Sequence, residues 1–442
     1  MNSRLILVIV AGWILPVLNA NIGEWDEVWT KREHEARNRT LEAYHPNPRN
    51  VVDHLNMHVN RVLKEIEVDE GIRSNSSRRH LMQSKGPCTA TNPIDKCWRC
   101  QANWADNRMK LADCPLGFAV KTTGGKGGKI HVVTDPSDDD VQNPKPGTLR
   151  HAALQKEPLW IIFEKNMVIK LKQELMVQSD KTIDGRGAKV EISGGAGITI
   201  QFVKNVIIHG IKISNIVKAA GGLIRDSVDH VGMRQQSEGD GITIFGSQNV
   251  WVDHVSLTKC TDGMIDATQG STAVTISNCH LTDHDKTILF GSDDNYKDDV
   301  KMQGTVAFNH FGQKLVQRMP RCRFGYFHVV NNDYNQWLMY AIGGSSAPTI
   351  ISQGNRFTAS SNPQTKEVTK REKATEAEWK KWTWVSEGDV LLGGAVFVSS
   401  GDQGWAKKHP EVYDKIQAAP GTNVEQMTKF AGALECEKGK PC

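Results

Sequence analysis

A chain of 442 residues with 39% hydrophobic and 24% charged residues has the composition of an ordinary globular protein. That length is enough for one large core or for two or three modest domains. The formal net charge of +4 is too small to predict a nucleic-acid partner, although locally clustered positive charge would suit a polyanionic ligand. The sequence has no zinc-finger spacing and no Walker or dinucleotide-binding glycine pattern, which argues against those classes of protein.

The first twenty residues predict that the protein is exported from the cell. Arg4 supplies a short positive region, residues 5–18 are mostly apolar, and residues 18–20 form a small-residue cleavage site. This pattern is typical of a secretory signal peptide over residues 1–20, and it is short for a membrane span. No later run is apolar for long enough to cross a bilayer, so we expect an exported mature protein that does not associate with membranes.

Nine cysteines fit an oxidising route of export. Cys97 and Cys100 have the spacing of a redox or zinc pair, but no second pair with matching spacing follows, so structural disulfides are the better interpretation. The odd number leaves at least one thiol unpaired. In an exported chain, the Asn-x-Ser/Thr sequences at Asn38 and Asn75 predict glycosylation sites.

Residues 21–87 are polar and charged, and they precede a main domain predicted over residues 88–442. Apolar residues recur at helical spacing between Val51 and Ile66. A small helical extension is the plain interpretation. A removable pro-region is the alternative, since the two arginines at 78–79 would suit a processing protease.

From about residue 129 onward, short β-branched runs alternate with Asn, Gly, Asp and Ser. Two pairs of these runs repeat with an offset of 44, from Gly197 and Asn205 to Gly241 and Asn249. We interpret this offset as two coils of about 22 residues each in an all-β, parallel β-solenoid. Alternation would place Ile and Val inward and polar residues on the outer faces. A β-sandwich with many hairpins is the alternative, but it explains the repeat poorly.

The C-terminal part of the chain is less repetitive. Gly343-Gly344 predicts a long loop, and residues 366–381 predict a solvent-exposed helix. A last strand is expected within residues 391–398. The tail beyond Trp405 would then pack along the side of the solenoid or cover an end, which solenoids need.

Three aspartates and a glutamate are candidates for a metal site. Asp240 and Asp262 are 22 residues apart, about one coil, so they should stack on one outer face at about 4.8 Å. Asp266 would stand about 13 Å from Asp262 in a straight strand, unless Gly263 bends the chain. Crowded carboxylates favour a hard cation such as Ca²⁺, with Glu238 as a candidate fourth ligand. Ordinary solvated turn residues are the alternative.

Four basic residues follow the acids: Lys286, Arg318, Arg321 and Arg323. Set near a metal site, they would form a clamp for a substrate that carries several carboxylates. Pro320 interrupts any regular strand in this region, so spacing does not show which arginines share a face. The alternative is a surface charge run without a ligand.

Several motifs, in this order, resemble plant pectate lyases of the pollen- and flower-expressed type, a group that includes related pollen allergens. The resemblance covers residues 92–398 and rests on these segments: Asn103-Trp104 with Asn107-Arg108, residues 160–163, 181–187, 251–254, 262–266 with 270–272, and 317–325. Two positions depart from the family pattern. Cys322 replaces a small aliphatic residue and Ser292 replaces a frequent histidine, and neither is a catalytic position of the family.

The resemblance implies a right-handed parallel β-helix and calcium-dependent β-elimination on de-esterified homogalacturonan, or polygalacturonate. The implied roles are Ca²⁺ ligation by Asp240, Asp262 and Asp266, proton abstraction by Arg318, and substrate-carboxylate binding by Lys286 and Arg323. Calcium would withdraw charge from the uronate carboxylate and make the proton on C5 more acidic. Because arginine is normally protonated, we expect activity to favour alkaline pH.

Three other functions are weaker alternatives. A polygalacturonase would need a general acid and a second carboxylate that activates water, and its Asn-Thr-Asp and Arg-Ile-Lys signatures are absent. A pectin lyase acts on esterified polymer without calcium, which the three aspartates disfavour. A wall-binding or allergen-type protein with little turnover is the third alternative. We expect a monomer secreted to the plant cell wall, with polygalacturonate and no nucleic acid as its partner.

Overall fold

The computed structural model describes residues 26–75, 90–403 and 416–442, with side chains over the same ranges except 67–75. The predicted signal peptide, the arginines at 78–79 and Cys88 lie outside these residues. Within them, the chain winds through three long parallel sheets, which form the sides of a β-helix. The predicted solenoid is therefore confirmed, and the β-sandwich alternative is wrong.

All strand pairs within the three long sheets are parallel. Sheet A contains β1 (Lys129–Val133), β2 (Leu159–Phe163), β5 (Lys181–Asp184), β8 (Lys204–His209), β13 (Gln248–Asp253), β16 (Thr272–Ser277), β20 (Gln303–Ala307), β24 (Tyr326–Val330), β27 (Thr349–Gln353) and β30 (Trp384–Glu387). Sheet B contains β4 (Leu175–Met176), β7 (Ile198–Gln201), β12 (Ile242–Phe245), β15 (Ile265–Thr268), β19 (Ile288–Phe290), β23 (Arg321–Arg323), β26 (Ile342–Ser345) and β29 (Thr369–Arg371).

Sheet C contains β3 (Met167–Ile169), β6 (Val190–Ser193), β9 (Lys212–Ser214), β14 (Ser256–Thr258), β17 (His280–Thr282), β21 (His310–Phe311), β25 (Asp333–Asn335), β28 (Arg356–Thr358) and β31 (Val390–Leu392). Two short pairs complete the strands: the antiparallel hairpin of β10 (Gly222–Ser227) with β11 (His230–Arg234), and parallel β18 (His284–Lys286) with β22 (Leu315–Gln317).

Each complete coil visits sheets A, C and B in turn, so neighbouring strands of a sheet are one coil apart. Ile242 lies beside Ile265, 23 positions later, and Ile265 lies beside Ile288. Ile198 precedes them in the same row, and all four side chains are fully buried. Stacked β-branched side chains fill the interior efficiently, and their burial is the main source of stability for the fold.

The interpretation of the 44-residue offset as two coils is wrong. Ile198 in β7 lies directly beside Ile242 in β12, and the same holds for Val206 and Val250 in sheet A. The offset is therefore one coil, enlarged by the β10–β11 hairpin. The coil length of about 22 residues is nevertheless right for the coils that carry no insertion.

The helices lie outside the three sheets. They are α1 (Glu27–Ala43), α2 (Pro48–Asn75), α3 (Pro93–Trp98), α4 (Leu149–Ala153), α5 (Glu376–Trp379) and α6 (Val424–Met427), with 3-10 turns at Arg108–Asp113, Gly117–Ala119, Lys297–Lys301, Pro363–Thr365 and Gly421–Asn423. In the part of the chain that is described, no helix combines the length and apolar character that a bilayer crossing requires.

The N-terminal extension packs against sheet A. The side chain of Gln248 donates a hydrogen bond to Thr40 at 2.9 Å, and that of Gln303 donates to the backbone oxygen of His45 at 2.8 Å. Leu55 of α2 is buried in an apolar cluster on the outer side of the sheet. The helix predicted between residues 51 and 66 is confirmed, and it covers apolar surface that would otherwise meet water.

The C-terminal tail covers the same outer side of sheet A. Asn331 donates a hydrogen bond to the backbone oxygen of Ala419 at 2.8 Å, and His254 bonds to that of Gly432 at 2.9 Å. Trp251, an outward residue of β13, is fully buried beneath these layers. The predicted lateral packing of the tail is therefore confirmed for residues 416–442.

Two expectations for the C-terminal region are wrong. Gly343-Gly344 is not a loop, because it lies inside β26 and is paired with β23. Residues 366–381 contain β29 and only the four-residue α5, because Thr369 to Arg371 continue sheet B as its last strand. Pairing with a sheet edge prevailed over the helical tendency of a charged segment.

The cysteines support the disulfide interpretation. Cys97 is bonded to Cys114 with an S–S distance of 2.05 Å, and Cys100 is also disulfide-bonded. Cys436 is bonded to Cys442 in the tail. The free thiols among the described residues are those of Cys260, Cys279 and Cys322. Asn38 is exposed on α1, and its glycosylation stays a prediction, as does that of Asn75.

Candidate functional site

The candidate site lies where successive coils turn from sheet C into sheet B. In four successive coils, a charged residue stands two or three positions before the strand of sheet B. These residues are Asp240 before β12, Asp262 before β15, Lys286 before β19 and Arg318 before β23. Because the strands stack at about 4.8 Å, the four positions form one row along an outer edge of the β-helix.

The two acids of this row and Glu238 form a tight cluster. Carboxylate oxygens of Glu238, Asp240 and Asp262 all lie within 4.8 Å of one another. The backbone N–H of Gly263 donates a hydrogen bond to Asp240 Oδ1 at 2.8 Å, which fixes one carboxylate in place. The structure thus brings together Asp240 and Asp262, as the coil spacing predicted, and it adds Glu238.

Asp266 reaches the cluster from inside β15. It lies beside Thr243 of β12 and Leu289 of β19, on the outer face of sheet B. Its carboxylate occupies the space that a Cβ on Gly263 would fill, since that Cβ would lie only 2.1 Å from Asp266 Oδ1. The chain bends on both sides of Gly263, as the sequence suggested, and the glycine, whose φ is not left-handed, also leaves room for the Asp266 carboxylate.

Burial and mutual repulsion dominate the electrostatics of these acids. Burial, with the charges of Glu238 and Asp262, raises the pKa of Asp240 to about 7, against the lowering effect of the hydrogen bond from Gly263. Burial also raises the pKa of Asp266 well above its usual range, and Asp240 adds to this effect. Buried carboxylates that repel each other favour a bound cation or a bound proton.

The dimensions of the cluster fit calcium. Oxygens bound to one Ca²⁺ at about 2.3–2.6 Å are at most about 5 Å apart, and the cluster is within that limit. The donor set consists of hard carboxylate oxygens, which suits Ca²⁺ better than zinc or copper. Glu238, Asp240 and Asp262 are the residues that would hold the ion, with Asp266 beside them.

Lys286 closes one side of the acidic cluster. Its Nζ lies 2.5 Å from Asp262 Oδ1, and its side chain remains about one-third exposed. His284, two residues earlier on β18, bonds through Nε2 to the backbone oxygen of Asp262. The short β18–β22 pair thus ties the coil of Lys286 both to Asp262 and to the coil of Arg318.

Arg318 stands in the turn between β22 and β23. Its backbone has φ of 65°, a left-handed conformation that is costly for a residue with a Cβ. Its side chain lines the same cleft as the acids, and its positive charge opposes the rise in the pKa of Asp266. Among residues 26–66, 90–403 and 416–442, Arg318 forms no ion pair, and its buried Nε has no hydrogen-bond partner.

The two following arginines are already paired. Arg321 forms an ion pair with Glu372 at 2.6 Å, and Arg323 forms one with Asp294 at 3.1 Å. Arg323 also donates to the backbone oxygen of Gly291. Both side chains are more than nine-tenths buried. Neither side chain lines the cleft with Arg318, although the charge of Arg318 is near enough to lower the pKa of Arg323.

The cleft has a volume of about 290 Å³ and extends along sheet B beyond the predicted residues. Sequence reasoning missed Glu174, Gln201, Arg234 and His284. Arg234 lies in the hairpin insertion, whose presence the 44-residue offset concealed. His284 gave a usable signal, because it lies within a run of four charged or titratable residues, from Asp283 to Lys286.

Two family models match this chain. The model described as "Pectate lyase" matches residues 164–378, and the model described as "Pectate lyase, N terminus" matches residues 21–81. The first covers the part of the β-helix that carries the cleft. The second covers most of the predicted extension, including all of α1 and α2.

Relatives match over nearly the whole chain. The tomato (Solanum lycopersicum) protein "Probable pectate lyase P59" is 56% identical over 442 residues, which is 100% of this chain and 98% of that protein. A "Pectate lyase" of Lilium longiflorum is 56% identical over 96% of this chain and 95% of its own length. The crystal structure of jun a 1, the major allergen from cedar pollen, has a TM-score of 0.74 at 47% identity, and the match covers 78% of this chain and 99% of jun a 1.

These identities far exceed what a shared fold alone would require, and they extend over the cleft and the N-terminal extension alike. The resemblance found in the motifs is confirmed, together with the enzyme class that it implied. The chain belongs to the pectate lyase family.

Proposed function

We propose that this protein is a calcium-dependent pectate lyase that cleaves de-esterified homogalacturonan by β-elimination. One observation carries the proposal: Arg318, which has no ion pair among the described side chains, lines the same cleft as a cluster of mutually repelling carboxylates. A polyuronate substrate supplies carboxylates for the cations, and a bound metal supplies the charge that the acids lack.

The proposed ligands of Ca²⁺ are Asp240, Asp262 and Asp266, with Glu238 as the fourth. Glu238 is supported by its distances to Asp240 and Asp262, and Asp266 by its place against Gly263. The ion, when bound, would withdraw charge from a uronate carboxylate and acidify the neighbouring C–H bond. The four acids would hold it at the outer edge of sheet B, where a long polymer has access.

Arg318 is proposed as the catalytic base. It stands one coil beyond Lys286 in the row and is held by a strained backbone, which supports a functional role for its position. In the elimination, its guanidine would accept the proton from C5. The glycosidic oxygen would leave C4 with the electron pair of the C4–O bond, and a C4–C5 double bond would remain.

Lys286 and Arg323 are proposed as substrate-carboxylate ligands. Lys286 is well placed, because it lines the cleft and its partner Asp262 is also a proposed metal ligand. Arg323 would have to leave Asp294 and Gly291 before it could contact a substrate. We therefore expect a larger effect on substrate binding from substitution of Lys286 than from substitution of Arg323.

The proposed setting is the plant cell wall, reached by secretion, with a monomeric enzyme acting on polygalacturonate. A second function, wall binding with little turnover, is supported by the likeness to a pollen allergen. The two functions differ in one measurable respect. A lyase produces unsaturated oligosaccharides in a calcium-dependent way, whereas a binding protein retains the polymer and produces no new chain ends.

The experiment measures ultraviolet absorbance of polygalacturonate incubated with the protein, first with Ca²⁺ and then with excess chelator. Arg318→Ala should lose at least about a hundredfold in activity, because a positioned base contributes about 10²–10⁴. Arg318→Lys keeps a cation at the same place, and Lys314→Ala removes an exposed cation of the preceding turn as a matched control.

The expected result is a calcium-dependent rise in absorbance that Arg318→Ala abolishes while its calcium affinity stays within about twofold of the unmodified protein. New reducing ends without the absorbance would mean hydrolysis and would overturn the lyase proposal. Polymer binding without new ends would support the binding function instead. Full activity of Arg318→Ala would remove this residue from the role of base.

A further inference from the structure

We infer that Arg234, in the β10–β11 hairpin, binds a uronate carboxylate at a distal end of the cleft and that α1 of the N-terminal extension positions it there. The inference rests on the proposed function, since it extends the same cleft to a further sugar subsite. Arg234 follows from no motif of the sequence. It enters through the hairpin that enlarges one coil, and it lines the cleft with the acids.

Arg234 is buried, and it forms an ion pair with Glu174 and a hydrogen bond with Gln201, two residues of neighbouring coils. Its Nε donates to Glu174 Oε2 at 3.0 Å, and its Nη1 donates to Gln201 Oε1 at 2.8 Å. Glu174 is itself fixed by Thr199, whose hydroxyl donates to Oε1 at 2.7 Å. Nη2 donates to no acceptor in the described part of the chain, so the guanidinium keeps one edge for a ligand in the cleft.

The outer residues around Arg234 are suited to a sugar acid. Thr199 and Gln201 of β7 and Thr243 of β12 offer hydroxyl and amide groups, and Phe245 offers an apolar ring at the cleft wall. A guanidinium that is already oriented loses little conformational freedom when it binds a planar carboxylate. The same groups would be a poorer match for a neutral methyl ester, because the ester has no negative charge to pair with the guanidinium.

Arg234 and Arg318 are anchored far apart along the helix axis. Arg234 is bonded to Gln201 of β7, whereas Arg318 precedes β23, and β12, β15 and β19 lie between these strands. Four strand spacings of about 4.8 Å give about 19 Å. A polymer that lies along sheet B would therefore meet Arg318 and Arg234 with different sugar residues, several units apart.

The α1 helix holds the hairpin from outside. Trp29 Nε1 donates to Asp226 Oδ2 at 3.2 Å, and Arg32 Nη1 donates to Asp226 Oδ1 at 2.8 Å. His230 bridges the same Asp226 at 2.7 Å and Asp26, the N-cap of α1, at 3.1 Å. These contacts join both strands of the hairpin to the first helix of the extension.

Trp29 also touches the cleft wall and Arg234 itself. Its ring centroid lies 6.0 Å from that of Phe202 and 5.9 Å from Cζ of Arg234. Phe202 in turn packs edge-on against Phe245, which lines the cleft. Trp29 is thus a positioning residue: it contacts no substrate, but it supports the hairpin and the wall between which Arg234 lies.

The test compares Arg234→Gln with the unmodified full chain on oligogalacturonates of increasing length at saturating Ca²⁺. We expect KM to rise about tenfold for long oligomers, because the variant loses one charge-assisted hydrogen bond to the substrate. The value of kcat should change less than twofold. The shortest cleaved oligomer should show no change in KM. Arg225→Gln is the matched control, since Arg225 lies on the same hairpin and bonds only to backbone oxygens.

Two further variants separate substrate binding from structural support. Arg234→Lys keeps a positive charge beside Glu174, so it should fold. It should raise KM because lysine lacks the planar guanidinium that binds a carboxylate through two hydrogen bonds, but by less than Arg234→Gln because the charge remains. Trp29→Leu should raise KM for long oligomers only, by less than Arg234→Gln, with kcat unchanged. A lower kcat at every length, or an unchanged KM at the longest length, would overturn the assignment.

The failure of this inference is distinct from the failure of the proposed function. If the unmodified protein forms no unsaturated product, the lyase proposal fails, and calorimetric binding of a long oligogalacturonate to the two proteins still tests Arg234. Equal affinities for the unmodified chain and Arg234→Gln would then overturn the subsite. About tenfold weaker binding by Arg234→Gln, at unchanged calcium affinity, would support it.

Discussion

Two buried groups of acids in this protein have opposite electrostatic arrangements. At the end of β5, fully buried Asp184 accepts hydrogen bonds from Arg108 at 2.9 Å, from Arg186 at 2.8 Å and from Trp160 at 2.9 Å. Burial alone would raise the pKa of Asp184, but the two guanidinium groups outweigh burial and hold it well below its usual range. At the cleft, by contrast, burial and like charges raise the pKa of Asp240 to about 7.

The difference separates a structural site from a binding site. The Asp184 carboxylate is paired with two guanidinium groups of the same chain, so it needs no further cation when the protein folds. The cluster of Glu238, Asp240 and Asp262 has more negative charge than Lys286 can balance, so it requires a ligand or protons. Substitution at the two places should therefore change stability in opposite directions.

The largest expected effect is at the complete group. Asp184→Asn leaves Arg108 and Arg186 buried without a countercharge, which should lower the free energy of unfolding by about 3–5 kcal/mol. Denaturant unfolding at neutral pH measures this change, with or without calcium. Asp113→Asn, which breaks an exposed ion pair with Lys126, is the control and should change stability by less than about 1 kcal/mol. A loss below 1 kcal/mol for Asp184→Asn would contradict the comparison.

The opposite sign is expected at the cleft. Asp240→Asn removes a carboxylate that is unfavourably charged when buried, so the calcium-free protein should gain on the order of 1–3 kcal/mol at pH 8. The same variant should lose the rise in Tm that calcium produces, because a ligand is missing. Thermal unfolding of both proteins with calcium and with chelator provides both readings. If the calcium-free variant were less stable than the unmodified protein, the charge of Asp240 would be favourably paired and not a destabilising charge.

The pH dependence sharpens the same contrast. The pKa of Asp240 is about 7 in the folded chain against an ordinary value of 3.8, so the folded state holds an extra proton between about pH 4 and 7. Stability of the calcium-free protein should therefore fall as pH rises through this window. Calcium competes with that proton, so the calcium-induced rise in Tm should be larger at pH 8 than at pH 5. An equal rise at both values would refute the protonation of the cluster.

The smallest stability effect is expected at Lys286. Its ion pair with Asp262 is about one-third exposed, so Lys286→Met should change the free energy of unfolding by less than about 1 kcal/mol. The same change should raise KM for polygalacturonate, because the cation lines the cleft. Denaturant unfolding and initial rates on one preparation separate the two quantities. A large stability loss with unchanged KM would make Lys286 a purely structural partner of Asp262.

Local spacing predicted much of the candidate site. Asp240 and Asp262 are about one coil apart, and the β-helix stacks them because each coil returns the chain to the same edge. The inward Ile ladder of Ile198, Ile242 and Ile265 was equally visible as a period-two pattern. Such features depend on neighbours within one coil, which is why a sequence pattern can carry them.

Features that depend on an insertion or a distant segment were missed or misjudged. The 44-residue offset is one coil with a hairpin. Strand pairing decides which segments become neighbours, and the number of residues between them can vary when a coil carries an insertion. Gly343-Gly344 became a strand because β23 and β29 flank it on both sides. Arg234 enters the cleft only because that hairpin folds back against Glu174 and α1.

By itself, the sequence determined the repeating β architecture, the row of acids followed by basic residues, and the family resemblance that gave Arg318 its expected role. The tertiary structure alone decided which charges are already satisfied. Arg321 and Arg323 find Glu372 and Asp294 in other coils, and Arg318 finds no ion-pair partner in the described residues. Charge balance is a property of distances between side chains from several coils, and a linear pattern does not contain those distances.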